Sequence, residues 1–151
     1  MNFSEFLKLM NADTHINISS AIQNGGCTIR FDDSIDINLE YHNNHVYLFS
    51  TVMQIMKPLS DNFFASILQI HLFGIATNRC WFGYDAGGQR VILFCLIDLS
   101  VLSAESALMH VETLIEQTEY WQENLPKISQ ITQEPSKEDI INKRFKNNLI
   151  I

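Results

Sequence analysis

The seven residues from Ile35 to Tyr41, with the sequence IDINLEY, alternate without a break between apolar and polar side chains. Strict alternation is typical of a β-strand that has one face against a core and the other in or near solvent. An alternating segment, CTIRFDD, precedes it, and a more apolar one, VYLFSTVM, follows the turn residues HNNH. The chain therefore predicts an antiparallel meander of three strands, whose apolar face another layer has to cover.

The second half of the chain predicts a β-hairpin followed by a long helix. The segments RCWFGYD and RVILFCLID flank the glycine turn AGGQ, as the two strands of a hairpin do. The stretch from Val91 to Ile97 is apolar throughout, which is typical of a strand covered on both faces. The last helix is predicted to start after Ser103, its N-cap, and to end at Pro126. Its predicted core face consists of Ala107, Val111, Leu114, Thr118, Trp121 and Leu125.

Two further helices are predicted before the hairpin. Apolar side chains at helical spacing predict a first helix over residues 3–11, and the segment NADTHINISSAIQNGG after it is expected to be a loop. The segment SDNFFASILQIHLFG, from Ser60 to Gly74, predicts another helix. Its apolar side chains spread over roughly half of the helical circumference, which is more than a helix lying on a single sheet needs.

The width of that apolar arc predicts that the helix contacts two surfaces. One side would lie on its own sheet and the other on a second copy of the chain, the commonest partner in soluble oligomers. Deep burial in its own core is the alternative. His71 projects into the arc, and we expect it to be neutral and hydrogen-bonded. The candidate residues for a dimer interface are Ile67, Ile70, His71, Phe73 and Trp81.

Together these segments predict an α+β fold with the element order α-β-β-β-α-β-β-α. We expect two layers, in which helices cover a twisted antiparallel sheet, and a homodimer. Residues 1–126 would form one domain. The tail from 127 to 151 is more polar, and two alternatives stay open for it, a short docked helix or a mobile tail.

Composition and charge exclude several classes of function. The net charge of −7 over 151 residues disfavours binding to nucleic acid, because like charges repel. No apolar run is long enough to cross a bilayer, and the first residues lack the pattern of a signal peptide, so no membrane contact is expected. The odd number of scattered cysteines, Cys27, Cys80 and Cys95, fits a reduced, cytoplasmic compartment.

The sequence offers no strong pattern for a catalytic, metal or cofactor site. His42 and His45 lie in a predicted turn without the further ligands that a structural zinc site needs. The segment AGGQR lacks the lysine and the hydroxyl residue of a phosphate-binding loop. We therefore predict no enzymatic activity, no cofactor and no metal. A small enzyme that uses Cys80, His71 or His110 is the alternative.

The order of three short motifs links the chain to a known family. The helix end Ile67-Leu68-Gln69-Ile70-His71 is followed by Gly83-Tyr84-Asp85 in a strand and by Trp121 late in the last helix. In this order and spacing, over about residues 3–126, the chain resembles the class I type III secretion chaperones, the Tir-chaperone family. Two positions depart from the family pattern: His71 stands where asparagine is frequent, and Ile70 where a small residue is common.

The resemblance implies a cytoplasmic homodimer in a bacterium that injects effector proteins, without enzymatic activity or a nucleotide requirement. Such a chaperone binds the extended N-terminal region of a cognate effector, keeps it soluble and secretion-competent, and helps deliver it to the secretion apparatus. The ATPase of that apparatus is a candidate further partner. The alternative function is a dimeric α/β adaptor, not a chaperone, that binds a folded partner domain.

A protein that binds an extended chain needs exposed apolar pockets and a free strand edge. The apolar faces of the first helix and of the first two strands are the candidates for an effector-binding groove, with mutual burial of these side chains as the alternative. The candidate groove residues are Phe3, Phe6, Leu7, Met10, Ile29, Phe31, Ile35, Ile37 and Leu39.

Overall fold

Five antiparallel strands form one open sheet at the centre of the computed structural model, which describes residues 1–12 and 14–133. The helices are α1 (Phe3–Met10), α2 (Ile18–Asn24), α3 (Asp61–Ile70) and α4 (Ala104–Ile131), and a 3-10 turn spans Leu72–Gly74. The strands are β1 (Gly26–Arg30), β2 (Asp36–His42), β3 (His45–Gln54), β4 (Trp81–Asp85) and β5 (Arg90–Asp98). Their order in the sheet is β1-β2-β3-β5-β4, so β1 and β4 are its edges. The prediction of an α+β fold with an antiparallel sheet is confirmed.

The core lies between α4 and one face of the sheet, here called the inner face. Every second residue of β3 and β5 points to this face, and Leu48, Leu93 and Ile97 among them are fully buried. All six residues predicted for the core face of the last helix are buried against them. Burying one large aliphatic or aromatic side chain contributes roughly 1.5–3 kcal/mol, so this contact is a major source of stability.

Side-chain caps fix where α1, α3 and α4 begin. Asn2 and Glu5 form a capping box at the start of α1, with hydrogen bonds of 2.9 and 2.8 Å. The Ser60 hydroxyl accepts a hydrogen bond from the Phe63 N–H at the start of α3, and Ser103 caps α4 in the same way. These contacts satisfy N–H groups that have no partner within a helix. The prediction that Ser103 caps the last helix is confirmed.

A helix, α2, occupies part of the segment for which the sequence predicts a loop. Asn17 caps its start by accepting a hydrogen bond of 3.0 Å from the Ser20 N–H, and Gly25 ends it in the left-handed conformation, with φ of 69°. Ala21 is the one buried residue of this helix, so its apolar periodicity is too weak to distinguish it from a loop. The loop prediction is wrong here, and the observed order is α-α-β-β-β-α-β-β-α.

The last helix continues beyond its predicted end at Pro126. Proline has no N–H to donate to the preceding turn, yet α4 runs through it to Ile131. Leu125 is buried, Ile128 packs on the core, and the Thr132 carbonyl accepts a hydrogen bond of 2.7 Å from the Ser60 hydroxyl. These contacts on both sides of the proline keep the helix continuous. The two alternatives for the tail concern mainly residues 134–151, which lie outside the described residues.

The described residues cover β5 on one face instead of the predicted two. Val91, Leu93, Cys95 and Ile97 are buried under α4, whereas Leu96 on the opposite face, here called the outer face, is 41% exposed. A continuous apolar run indicates that both faces of the strand are shielded from water. It does not tell whether the same chain or a partner shields each face. The outer face is therefore a candidate for contact with another molecule.

Two fully buried threonines allow a matched test of this core. The Thr118 hydroxyl on α4 has no hydrogen-bond partner among the described residues, whereas the Thr77 hydroxyl donates to the Cys80 carbonyl. We expect Thr118→Val to raise the free energy of unfolding by about 1 kcal/mol, because it removes an unpaired buried hydroxyl, and Thr77→Val to lower it by about 1–3 kcal/mol. Urea denaturation measures both. A loss of stability in Thr118→Val would contradict this assignment.

Candidate partner-binding surfaces

Exposed apolar side chains cluster where α3 ends and β4 begins. Phe73 is 83% exposed and Ile75 81%, and Leu68, Leu72 and Trp81 are also exposed. The Trp81 ring lies beside Gly74, so the strand residue adjoins the loop residues. These five side chains are here called the apolar ridge. Contiguous exposed apolar area is uncommon on a monomeric protein and marks contact sites.

Hydrogen bonds hold the backbone of this loop in a fixed shape. The Gly74 N–H donates to the His71 carbonyl at 2.8 Å, and the Arg79 N–H donates to the Gly74 carbonyl at 2.7 Å. Phe73 has a φ of 59°, a left-handed conformation that costs a residue other than glycine about 1–3 kcal/mol. The loop therefore presents an exposed phenyl ring at the expense of backbone strain, which points to a role outside the chain's own fold.

His71 anchors this loop to the sheet. The Phe82 N–H donates a hydrogen bond of 2.8 Å to His71 Nδ1, and the two rings stack with centroids 5.8 Å apart. Because Nδ1 accepts, the imidazole proton is on Nε2 and the ring is neutral. Partial burial lowers the pKa of His71, which also favours the neutral form. His71 is thus neutral and hydrogen-bonded, as expected from the sequence.

The outer face of the sheet carries a continuous row of aromatic side chains. Phe49, Phe94 and Trp81 are neighbours across β3, β5 and β4, and Tyr47 lies opposite Leu96 in the next row. Trp81 and Phe94 have ring centroids 6.2 Å apart. Between these rows and the Asp85–Arg90 ion pair lies a cleft of about 410 Å³. Trp81 belongs to both surfaces, so the outer face and the apolar ridge are contiguous.

Among the described residues, the edge strand β1 has no neighbouring strand on one side. The Tyr41 N–H donates to the Gly25 carbonyl at 2.7 Å, and the Phe31 N–H donates to the Ile35 carbonyl at 3.0 Å. In an antiparallel pair such bonded residues alternate with unbonded ones, so the odd-numbered residues of β1 face β2. The residues whose N–H and C=O groups point to the free edge are Gly26, Thr28 and Arg30.

Two clefts flank this edge. One of about 700 Å³ lies on the outer face and is lined by Gly26, Thr28, Glu40, Tyr47 and Phe49, among others. The other, of about 530 Å³, lies between β1 and α2. A strand with unpaired backbone groups is a template for pairing with another chain, and the clefts provide room for the side chains of such a chain.

The residues predicted for an effector-binding groove lie mostly inside the protein. Phe31 is partly buried, and the other eight are buried in the core. This matches the alternative, that these side chains bury one another. A partner could reach the eight buried residues only if the core opened, and an aspartate at Ile37 or Leu39 would unfold the chain before it reported on binding.

The predicted dimer-interface residues are divided between core and surface. Ile67 is a buried residue of α3, Ile70 and His71 are partly buried, and Phe73 and Trp81 are exposed. The predicted interface omitted Leu68, Leu72 and Ile75 of the apolar ridge and every outer-face residue except Trp81. The apolar run in β5 could have identified the outer face, because it predicts that both faces of this strand are covered. The described residues cover only the inner face, which leaves the outer face for a partner.

The described residues contain no group of three or more side chains that could hold a metal ion. His45 has its Nδ1 2.8 Å from the Asn43 carbonyl oxygen and its Nε2 3.7 Å from Asp98. Cys80 and Cys95 are both buried. In residues 1–12 and 14–133, no helix has the length and apolarity that crossing a membrane requires.

Comparison with known proteins agrees with this geometry. The family model of the Tir chaperone protein (CesT) family matches residues 7–122, and no curated protein sequence matches the chain. A chain of the ExsC–ExsE complex is 17% identical with a TM-score of 0.62, covering 83% of this chain and 97% of that one. A chain of the HopA1–SchA chaperone–effector complex is 17% identical with a TM-score of 0.55, covering 80% and 95%.

A third similar structure is a chain of the ExoU–SpcU complex from the type III secretion system of Pseudomonas aeruginosa. It is 11% identical with a TM-score of 0.55, and the match covers 72% of this chain and 85% of that one. At such low identities the likeness concerns the fold alone.

The His71 contact predicts a dependence of stability on pH. Because the folded-state pKa of His71 is lowered, its contribution is complete above the unfolded pKa of about 6.5 and is lost as the pH falls below that value. In His71→Asn the amide oxygen can accept the Phe82 N–H but does not titrate. We expect the free energy of unfolding to fall more between pH 7.5 and about pH 5 in the wild type than in this variant. Equal slopes in chemical denaturation would contradict the assignment.

Proposed function

Since this chain belongs to the Tir chaperone protein (CesT) family, we propose that it is a type III secretion chaperone of the bacterial cytoplasm. It binds the extended N-terminal region of a cognate effector, keeps that region soluble and secretion-competent, and helps deliver it to the secretion apparatus. The observation that carries this proposal is the free edge of β1 between two clefts. Binding, not catalysis, is the activity that this arrangement favours.

The client segment adds as a further strand to β1. The outward N–H and C=O groups of Gly26, Thr28 and Arg30 provide affinity that does not depend on the client sequence, and the clefts accept alternate client side chains. Ordering an extended segment costs conformational entropy, so binding has to bury a large area, on the order of 1,000–3,000 Å². The aromatic outer face next to β1 supplies apolar area for this purpose.

The apolar ridge joins two copies of the chain in a homodimer. A two-fold interface uses the same patch on both subunits, so the ridge of each subunit is covered by the ridge of the other. The ridge lies at the β4 end of the sheet and the free β1 edge at the other end. Each subunit of the dimer therefore keeps its β1 edge accessible to the client. An ATPase of the secretion apparatus is a further partner in this proposal.

The dimer prediction is tested at Phe73, because this residue is exposed and its replacement leaves the core intact. Two aspartates at a two-fold apolar interface cost several kcal/mol of association energy. We expect Phe73→Asp to be a folded monomer by analytical ultracentrifugation. Val101→Asp, at another exposed apolar position 76% open to solvent, is the matched control and should remain a dimer. Phe73→Asp that sediments as a dimer would refute the ridge as the interface.

The client site is tested by removing one outward donor of β1. In Thr28→Pro the N–H that points to the free edge is lost while the backbone hydrogen bonds to β2 remain, as proline is tolerated on edge strands. Thr28→Pro and Thr28→Val both lose the hydrogen bond from the Thr28 hydroxyl to Asn38, so the comparison isolates the N–H. After co-expression with secreted proteins encoded nearby, we expect the wild type and Thr28→Val to copurify with an effector, and Thr28→Pro to recover at least tenfold less, a loss of about 1.4 kcal/mol. Circular dichroism checks that the variant is folded.

Equal recovery by Thr28→Pro and Thr28→Val would show that the client does not use the β1 edge. If the copurifying partner is an intact folded domain, the protein acts as an adaptor and the chaperone proposal is wrong.

A further inference from the structure

We infer that the outer-face cleft beside β1 receives a cationic side chain of the client, an arginine or lysine, whose charged group pairs with Glu40 and lies on the ring of Tyr47. This inference rests on the proposed function, because it needs a client strand along β1. It adds to that function a chemical requirement on the client sequence.

The sheet register places the three parts of this site in one row. Gly26 of β1 is opposite Glu40 of β2, and Glu40 is opposite Tyr47 of β3. All three line the cleft of about 700 Å³, and Phe49 lines it from the next row. A carboxylate next to an aromatic ring is a favourable arrangement for a cation, since the ion pair and the cation–π contact act on the same group.

Glu40 differs from the other carboxylates on the outer face in having no partner among the described residues. Asp36 accepts two hydrogen bonds from Arg30, at 2.8 and 2.9 Å. Asp85 pairs with Arg90 at 2.8 Å. These two arginines are thus already engaged, and the exposed Glu40 side chain is available to a cation from outside the chain.

Gly26 keeps the path from the free edge to Glu40 open. A Cβ at this position would lie 2.2 Å from the Leu39 carbonyl oxygen, so the backbone tolerates only glycine here. A strand added to β1 would lie about 4.8 Å from it and about twice that from β2. A long, flexible side chain from the added strand can pass over the bare glycine and reach the Glu40 carboxylate.

Arginine suits this site better than a short polar residue for two reasons. Its guanidinium group can stack on an aromatic face while its N–H groups bind a carboxylate, and its aliphatic stem can cover the apolar floor of the cleft. An exposed ion pair raises affinity about 1.4- to fivefold, and an exposed cation–π contact about two- to fivefold. Together they correspond to a roughly three- to thirtyfold gain in affinity.

The test uses two short synthetic peptides of alternating threonine and valine that differ at one central residue. That residue is arginine in one peptide and citrulline, an uncharged isostere, in the other. Isothermal titration calorimetry should show the arginine peptide binding the wild type about three- to thirtyfold more tightly, with amide shifts in β1 and β2 by NMR. In Glu40→Gln this preference should disappear, because the amide keeps the shape but not the charge.

Glu112→Gln is the matched control, since Glu112 is exposed on α4, on the other side of the sheet, and the variant has the same net charge. It should keep the preference for arginine. Equal binding of the two peptides to the wild type, an equal loss in both variants, or no saturable binding at all would overturn the inference. Copurification of an effector tests the proposed function separately, so a negative peptide result and a negative effector result are distinguishable.

Discussion

The packing of one long helix against one face of the sheet is the contact on which the rest of the structure depends. α4 buries its apolar stripe on the inner face of β3 and β5, and the short helices close the remaining inner surface. Within residues 1–12 and 14–133, no second layer covers the outer face. A sheet rich in apolar side chains on both faces is thereby left with aromatic residues exposed, and contact with other molecules can cover them.

The surfaces available to partners lie at opposite ends of the sheet. At the β4 end, a hydrogen-bonded loop with a strained Phe73 presents apolar side chains, a rigid surface suited to a second folded copy. At the β1 end, backbone groups and clefts are available, a surface suited to a chain without a fold of its own. The aromatic outer face lies between them, so the proposed client site and the proposed dimer interface are at opposite ends of one scaffold.

The sequence predicts the strands well because side chains alternate with a fixed period of two, which makes the apolar face of IDINLEY unambiguous. It predicts the surfaces less well. The helical arc of Ser60–Gly74 assumes a helix that continues through Phe73, whereas α3 ends at Ile70 and the chain reverses in a left-handed turn. Leu72 and Phe73 therefore point outward. This orientation depends on the backbone turn, which the periodicity of side chains does not predict. Likewise, apolar periodicity indicates that Phe6 and Leu39 face an apolar environment. It does not tell whether that environment is the chain's own core or a bound partner.

Hydrogen exchange on the purified complex with a copurified effector tests the central claim most directly, because it reports on both partners at the level of backbone amides. We expect slower exchange at Gly26, Thr28 and Arg30, and protection along one extended stretch near the effector N-terminus without a globular core. Unchanged exchange at β1, together with an effector domain that is already protected when free, would contradict it and would favour an adaptor for folded proteins.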